Sequence, residues 1–151
     1  MTITDEQVAL LQAQLAGRVD EYRRLLDQID KERANVGYDA LVSAGFFEAA
    51  RRRFITDGKP AGDAEVVQYV ADVRRRTDSS ADKIDPDIAE RSINFVLGKL
   101  PFGANDDIDG NAGFQVKLLL LAAFVGEEQF NDAELDTFMA RVRELAEESL
   151  S

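Results

Sequence analysis

Imidazole and thiol, the side chains that do most protein chemistry near neutral pH, are both missing from this 151-residue chain. Without His there is no Ser-His-Asp relay, no imidazole base and no zinc site of the usual nitrogen-and-sulfur kind. Without Cys there is no thiol nucleophile and no disulfide framework. Any catalysis would have to run on Asp, Glu, Lys, Tyr or Ser/Thr alone. Carboxylates are plentiful, but the adjacent pairs Glu127-Glu128 and Glu147-Glu148 would diverge by about 100° on a helix, so neither makes an acid/base pair. No phosphate-cradling glycine loop and no nucleophile elbow occurs. No catalytic residue is nominated, and the protein is read as non-enzymatic.

Three clusters remain as candidates for binding. The stretch 105–111 resembles a calcium loop when Gly110 is set at its sixth position, which puts Asn105, Asp107 and Asp109 at positions one, three and five. The match then fails, because the twelfth position is Val116 where a bidentate Glu is needed. These three residues stay a weak cation candidate beside the plainer reading of a solvated turn. No metal or cofactor is expected.

The second cluster is a pair of arginine triplets, Arg51, Arg52, Arg53 and Arg74, Arg75, Arg76, each in the last turn of a predicted helix. Guanidinium forks suit carboxylate or phosphate. A consecutive triplet fans over about 200° of a helix, however, and cations favour helix C-termini for stability alone. The third cluster is the acidic C-terminal third. Residues 103–151 hold 11 acids against 3 bases, within a whole-chain net charge of −11. Its exposed members are expected to include Glu127, Glu128, Asp132 and Asp136. Such a body repels phosphate backbones and anionic membranes, so neither nucleic acid nor membrane is an expected partner. A helix-turn-helix over 63–99 fails as well, because its connection is too long and its second helix offers only Arg91 and Lys99 among acids.

The elements that must position these clusters are helices. A long first helix is predicted over 5–34, opened by a capping box of Thr4 and Gln7 and striped by Val8, Leu11, Leu15, Val19, Tyr22, Leu26 and Ile29. Gly17 marks a kink or break within it. The nearly heptad seam suits a partner helix or a second copy. Asn35-Val36-Gly37 should end it. A second helix then carries Tyr38 to Phe54 and stops at the turn Asp57-Gly58-Lys59-Pro60.

A third helix starts at Asp63, and Thr77 to Lys83 reads as a loop. Asp85-Pro86 opens a fourth helix that ends near Pro101. After a Gly/Asp-rich connection to Gly113 comes a buried apolar fifth helix, Phe114 to Val125, with Gly126 just past its end. Asn131 and Glu134 box the last helix.

The fold expected is one all-α domain over 1–151, a bundle of about six helices. The start is acidic with no apolar segment, and the longest apolar run, Leu118 to Val125, is far short of the roughly 18 residues of a membrane span. A cytoplasmic protein follows. Arg outnumbers Lys 13 to 5, a bias associated with GC-rich bacterial genomes. The leading expectation is a module that binds another protein: an adaptor, an accessory subunit or a small acidic inhibitor of the immunity type. The alternative is a ligand- or cation-binding regulatory domain with Tyr22, Tyr38 and Tyr69 as polar handles.

Overall fold

The computed structural model describes residues 3–28, 31–76 and 84–150. Among them run α1 (Asp5–Leu15), α2 (Val19–Gln28), α3 (Lys31–Phe54), β1 (Ile55–Thr56), β2 (Lys59–Pro60), α4 (Asp63–Arg76), α5 (Pro86–Val96), α6 (Gly110–Glu128) and α7 (Asp132–Leu150). The protein is thus mostly helical, with one two-residue ribbon. The loop predicted over Thr77 to Lys83 lies outside the described residues.

Where capping chemistry is written in the sequence, helix starts fall where it places them. Thr4 and Gln7 exchange both bonds of a capping box, Gln7 N–H to Thr4 Oγ1 at 3.2 Å and Thr4 N–H to Gln7 Oε1 at 3.0 Å. Asp85 caps α5 through the amides of Asp87 and Ile88, with Pro86 at the first position. Asn131 and Glu134 repeat the reciprocal pattern at 2.8 and 3.0 Å before α7.

Helix ends differ more. The predicted long helix 5–34 is not one helix. It stops at Leu15, restarts at Val19, and its last residues belong to α3. The reason is Gly17, at φ +74. The amides of Gly17 and Arg18 bond back to the carbonyls of Gln14 and Ala13, the paired closure of a left-handed helix stop. Gly98, at φ +75, ends α5 the same way, at Val96 and ahead of the predicted end near Pro101. The stop predicted at Asn35-Val36-Gly37 does not occur, and α3 runs straight through it. Gly37 serves close approach instead: a Cβ there would lie 2.6 Å from Gln7 Nε2, a side chain already buried and committed to the cap of α1.

Gly126 is likewise interior, since α6 continues to Glu128 before Gln129 turns left-handed at φ 53. Glycine replacements should therefore have opposite signs. Gly17→Ala is expected to cost about 1–2 kcal/mol from left-handed backbone alone, because nothing crowds the new methyl. Gly126→Ala, equally uncrowded but helical, is expected to add about 0.5–1 kcal/mol. Urea denaturation of the two variants checks the pair.

The turn predicted at Asp57-Gly58 is a hairpin. Both residues have positive φ (54° and 75°), as a type I′ turn requires, and Ile55 pairs with Pro60 and Thr56 with Lys59. Helical patterning had no room to signal a ribbon two residues long.

The chain divides into two compact units, Met1–Gly45 with Val125–Ser151, and Phe46–Phe124. In the first, α1 packs on α2 and α7 and buries Leu10, Leu11 and Ala13, while α7 buries Leu135, Phe138, Met139 and Val142. In the second, α4 packs on α5 around Val66, Tyr69, Ala89 and Ile93. Within α6 the buried apolar side chains are Val116, Leu120, Leu121, Phe124 and Val125, but Leu118 and Leu119 are half-buried and Ala122 is exposed. The predicted all-round burial of this helix is thus a buried face with a partly wet back.

Candidate functional site

The second unit holds an aromatic stack. Phe124 meets Phe46, Phe54 and Tyr69 at ring-centroid distances of 6.0, 5.8 and 5.2 Å, and Phe54 stands edge-on to Tyr69 at 5.3 Å. These rings come from α3, α4 and α6, each on its helix's buried stripe. Around them the arginine triplets separate into distinct roles. Arg51 pairs with the buried Glu48 at 2.7 Å, and Arg75 pairs with Asp72. Arg53 lies over the rings of Phe54 and Tyr69 at 5.0 and 5.1 Å, and Arg76 lies 5.9 Å from the centroid of Tyr69. One member of each triplet therefore meets the other at a single ring.

A second feature of this unit is the loop between α5 and α6. Arg91 of α5 reaches across it, donating from Nη1 to Asp107 Oδ2 at 3.1 Å, from Nη2 to the other Asp107 oxygen, and from Nη2 to the Ala104 carbonyl at 2.7 Å. Asn105 Nδ2 donates back to the Arg91 carbonyl at 3.3 Å. Lys99 Nζ fastens the loop's start to Asp63 at 2.8 Å and to the Ala61 carbonyl. On this fastened loop Phe102 is 99% exposed. Sequence reasoning passed over Phe102. The signal present was a lone aromatic between Pro101 and Gly103, outside every helical stripe.

The cation candidate falls on the same loop, and both of its carboxylates are engaged with protein, while Asn105 Oδ1 is buried without a hydrogen-bond partner. Asp107 is taken by Arg91, Asp109 Oδ2 accepts from the Ala112 amide at 3.0 Å as α6 begins, and Asn105 is turned to Arg91 through its nitrogen. Among the described residues no group of three metal-ligating side chains is close enough to hold an ion.

In the first unit the acids are on the surface. Asp136 accepts from Gln12 Nε2 of α1 at 2.6 Å, and Asp132 pairs at 3.3 Å with Arg18, in the connection between α1 and α2. Arg143 ties Asp5 (2.6 Å), Glu147 (3.1 Å) and the Ile3 carbonyl (2.7 Å). Glu127 and Glu128 are exposed in the last turn of α6, which has no basic residue. Carboxylates at that end run against the helix dipole. Tyr38 donates its hydroxyl to Gln14 at 3.0 Å, and burial, with a smaller contribution from Tyr22, raises its pKa above the ordinary phenol value. Tyr38 is thus a satisfied packing residue, and Tyr69 belongs to the aromatic stack of the other unit.

The Arg91 clamp carries a pH dependence. The Arg91 hydrogen bond holds the Asp107 carboxyl below the usual carboxylate range, and the same bond raises Arg91. A carboxyl depressed on folding contributes stability above its unfolded pKa and loses it as pH falls through the folded value. Protection factors of the amides over 102–108, taken against the intrinsic exchange rate at each pH, should therefore fall on acidification through and below the ordinary Asp range. In Asp107→Asn the loop should show low protection already at neutral pH, with a flatter dependence of protection on pH.

Comparison with protein-family models, with curated proteins and with solved structures gives no match for this chain. No helix among the described residues is long and apolar enough to cross a membrane.

Proposed function

We propose that this protein is a non-enzymatic module that binds another protein, with Phe102 as its apolar anchor and surface acids as its steering charge. The observation that carries the reading is the 99% exposure of Phe102 on a loop fastened at several points by Arg91 and Lys99. An exposed phenyl ring costs solvation free energy in the unbound protein. On a rigid loop it enters a partner's pocket without a further ordering cost, as aromatic hot spots do.

Charge supports the reading from the other unit. By residue count, Met1–Gly45 with Val125–Ser151 carries 16 acids and 7 bases, whereas Phe46–Phe124 is nearly balanced at 13 and 11. Glu127 and Glu128 are exposed at the C-terminal end of α6, where the helix dipole opposes a carboxylate. A partner with a basic surface would be attracted to Glu127, Glu128, Asp132 and Asp136, which raises the association rate. Cytoplasmic location is part of the same proposal.

Affinity capture from the native host, with the full chain as bait, supplies the partner. Phe102→Ala is then expected to weaken its binding about 30-fold, the loss of a roughly 2 kcal/mol anchor, with no change in melting temperature. Charge reversal at Glu127, Glu128, Asp132 and Asp136 is expected to lower the association rate about tenfold or more at low salt. Binding unaffected by both changes overturns the proposal.

A further inference from the structure

We propose that Phe102 and Asp106 form one recognition element, whose partner is a protein with an apolar pocket carrying an Arg or Lys at its rim. The inference rests on the protein-binding reading above and adds the chemistry of the pocket. The backbone around Phe102 is a run of overlapping turns. The Ala104 amide donates to the Pro101 carbonyl at 3.1 Å, the Asp106 amide to that of Gly103 at 3.1 Å, and the Ile108 amide to that of Asn105 at 3.0 Å. In the first turn Gly103 holds the third position at φ +87, as a type II turn requires, so Phe102 stands at the tip.

The second turn brings the Asp106 carboxylate back towards that tip. A Cβ placed on Gly103 would lie 3.3 Å from Asp106 Oδ2. Gly103 follows Phe102 directly, so standard backbone dimensions put this oxygen within roughly 9 Å of the Phe102 Cα. Of the four charged side chains between Gly98 and Gly110, three are committed: Lys99 to Asp63, Asp107 to Arg91, and Asp109 to the Ala112 amide. Asp106 is the fourth. It is exposed, and its carboxylate has no hydrogen bond or ion pair among the described residues. A pocket that closes over the ring draws this carboxylate to its edge and strips water from it. Unpaired, the carboxylate opposes docking, whereas against a guanidinium or ammonium it makes a charge-assisted contact. The same charge disfavours a nucleic acid or an anionic lipid surface, which leaves a protein pocket with a basic rim.

The test uses the full chain with the photo-crosslinker p-benzoylphenylalanine in place of Phe102, irradiated in the native host. The same group in place of Glu65, exposed on α4, is the control. The crosslink is expected to fall in an apolar pocket of another protein, beside an Arg or Lys. With that protein purified, Asp106→Asn should weaken binding about tenfold, one lost charge-assisted contact. Asp106→Lys should weaken it further, and reversing the charge of the partner's rim residue should restore binding to that variant. In a Phe102→Ala background the effect of Asp106→Asn should shrink, because both side chains enter one pocket. If Asp106→Asn binds like the wild type, or the crosslinked pocket has no cation at its rim, this inference falls and the protein-binding reading stands. A crosslink to lipid or nucleic acid, or none above the control, overturns both.

Discussion

Replacing Phe124 with Ala is expected to lower the stability of the Phe46–Phe124 unit by about 3–5 kcal/mol, a large share of what a domain of this size has. Phe124 is 2% exposed and touches Phe46, Phe54 and Tyr69, so its loss opens a cavity bounded by three rings. Rings collapse poorly into such a space, because each is also held by its own helix. Phe124→Leu, which retains most of the volume, should cost under about 1.5 kcal/mol beyond the lost ring contacts. The chain has no Trp and only three tyrosines. In a Tyr22→Phe, Tyr38→Phe background, Tyr69 is therefore the sole intrinsic fluorophore, and it reports on the stack directly. A loss below about 1 kcal/mol for the Ala variant would mean that the rings are not the packing centre of this unit.

The parts of the fold legible in the sequence were those fixed by local chemistry. Thr4 with Gln7, Asp85 with Pro86, and Asn131 with Glu134 announce helix starts, because the cap and its partner lie within three residues of one another. Glycine proved ambiguous, because the residue has several uses. Gly17 and Gly98 sit inside apolar stripes yet end helices; a kink or break was expected at Gly17, but at Gly98 only the left-handed backbone reveals it. Gly37 looks like a stop and is a helical contact point for Gln7, a residue 30 positions away. No local pattern carries that information.

The candidate site was legible in types and not in assembly. Both arginine triplets were visible as residues, but their meeting depends on two helices ending beside one aromatic ring. Tyr69 was noted only as a polar handle, although its ring is what Arg53 and Arg76 share. The acids at 105–109 suggested a cation loop because sequence spacing does not show Arg91, a helix away, occupying Asp107. Phe102 was passed over, because exposure is a tertiary property that pattern alone does not supply.

Leu11→Ala and Leu26→Ala, the same substitution twice on one apolar stripe, are expected to differ by several-fold in cost. The stripe Val8 to Leu26 is continuous in spacing, yet the Gly17 stop cuts it in two. Leu11 of α1 is fully buried where α1 packs on α7, so its truncation should cost about 2–5 kcal/mol. In α2 no residue is fully buried, Val19 is 56% exposed and Leu26 is half-buried, so Leu26→Ala should cost under about 1 kcal/mol. Melting curves taken across a hundredfold range of protein concentration decide a further point. If a second copy covers the α2 stripe, wild-type melting rises with concentration and Leu26→Ala abolishes the rise. If α2 stays uncovered, both proteins melt at fixed temperatures. Equal losses for the two variants would mean that the stripe is buried along its whole length and that the Gly17 break does not divide it.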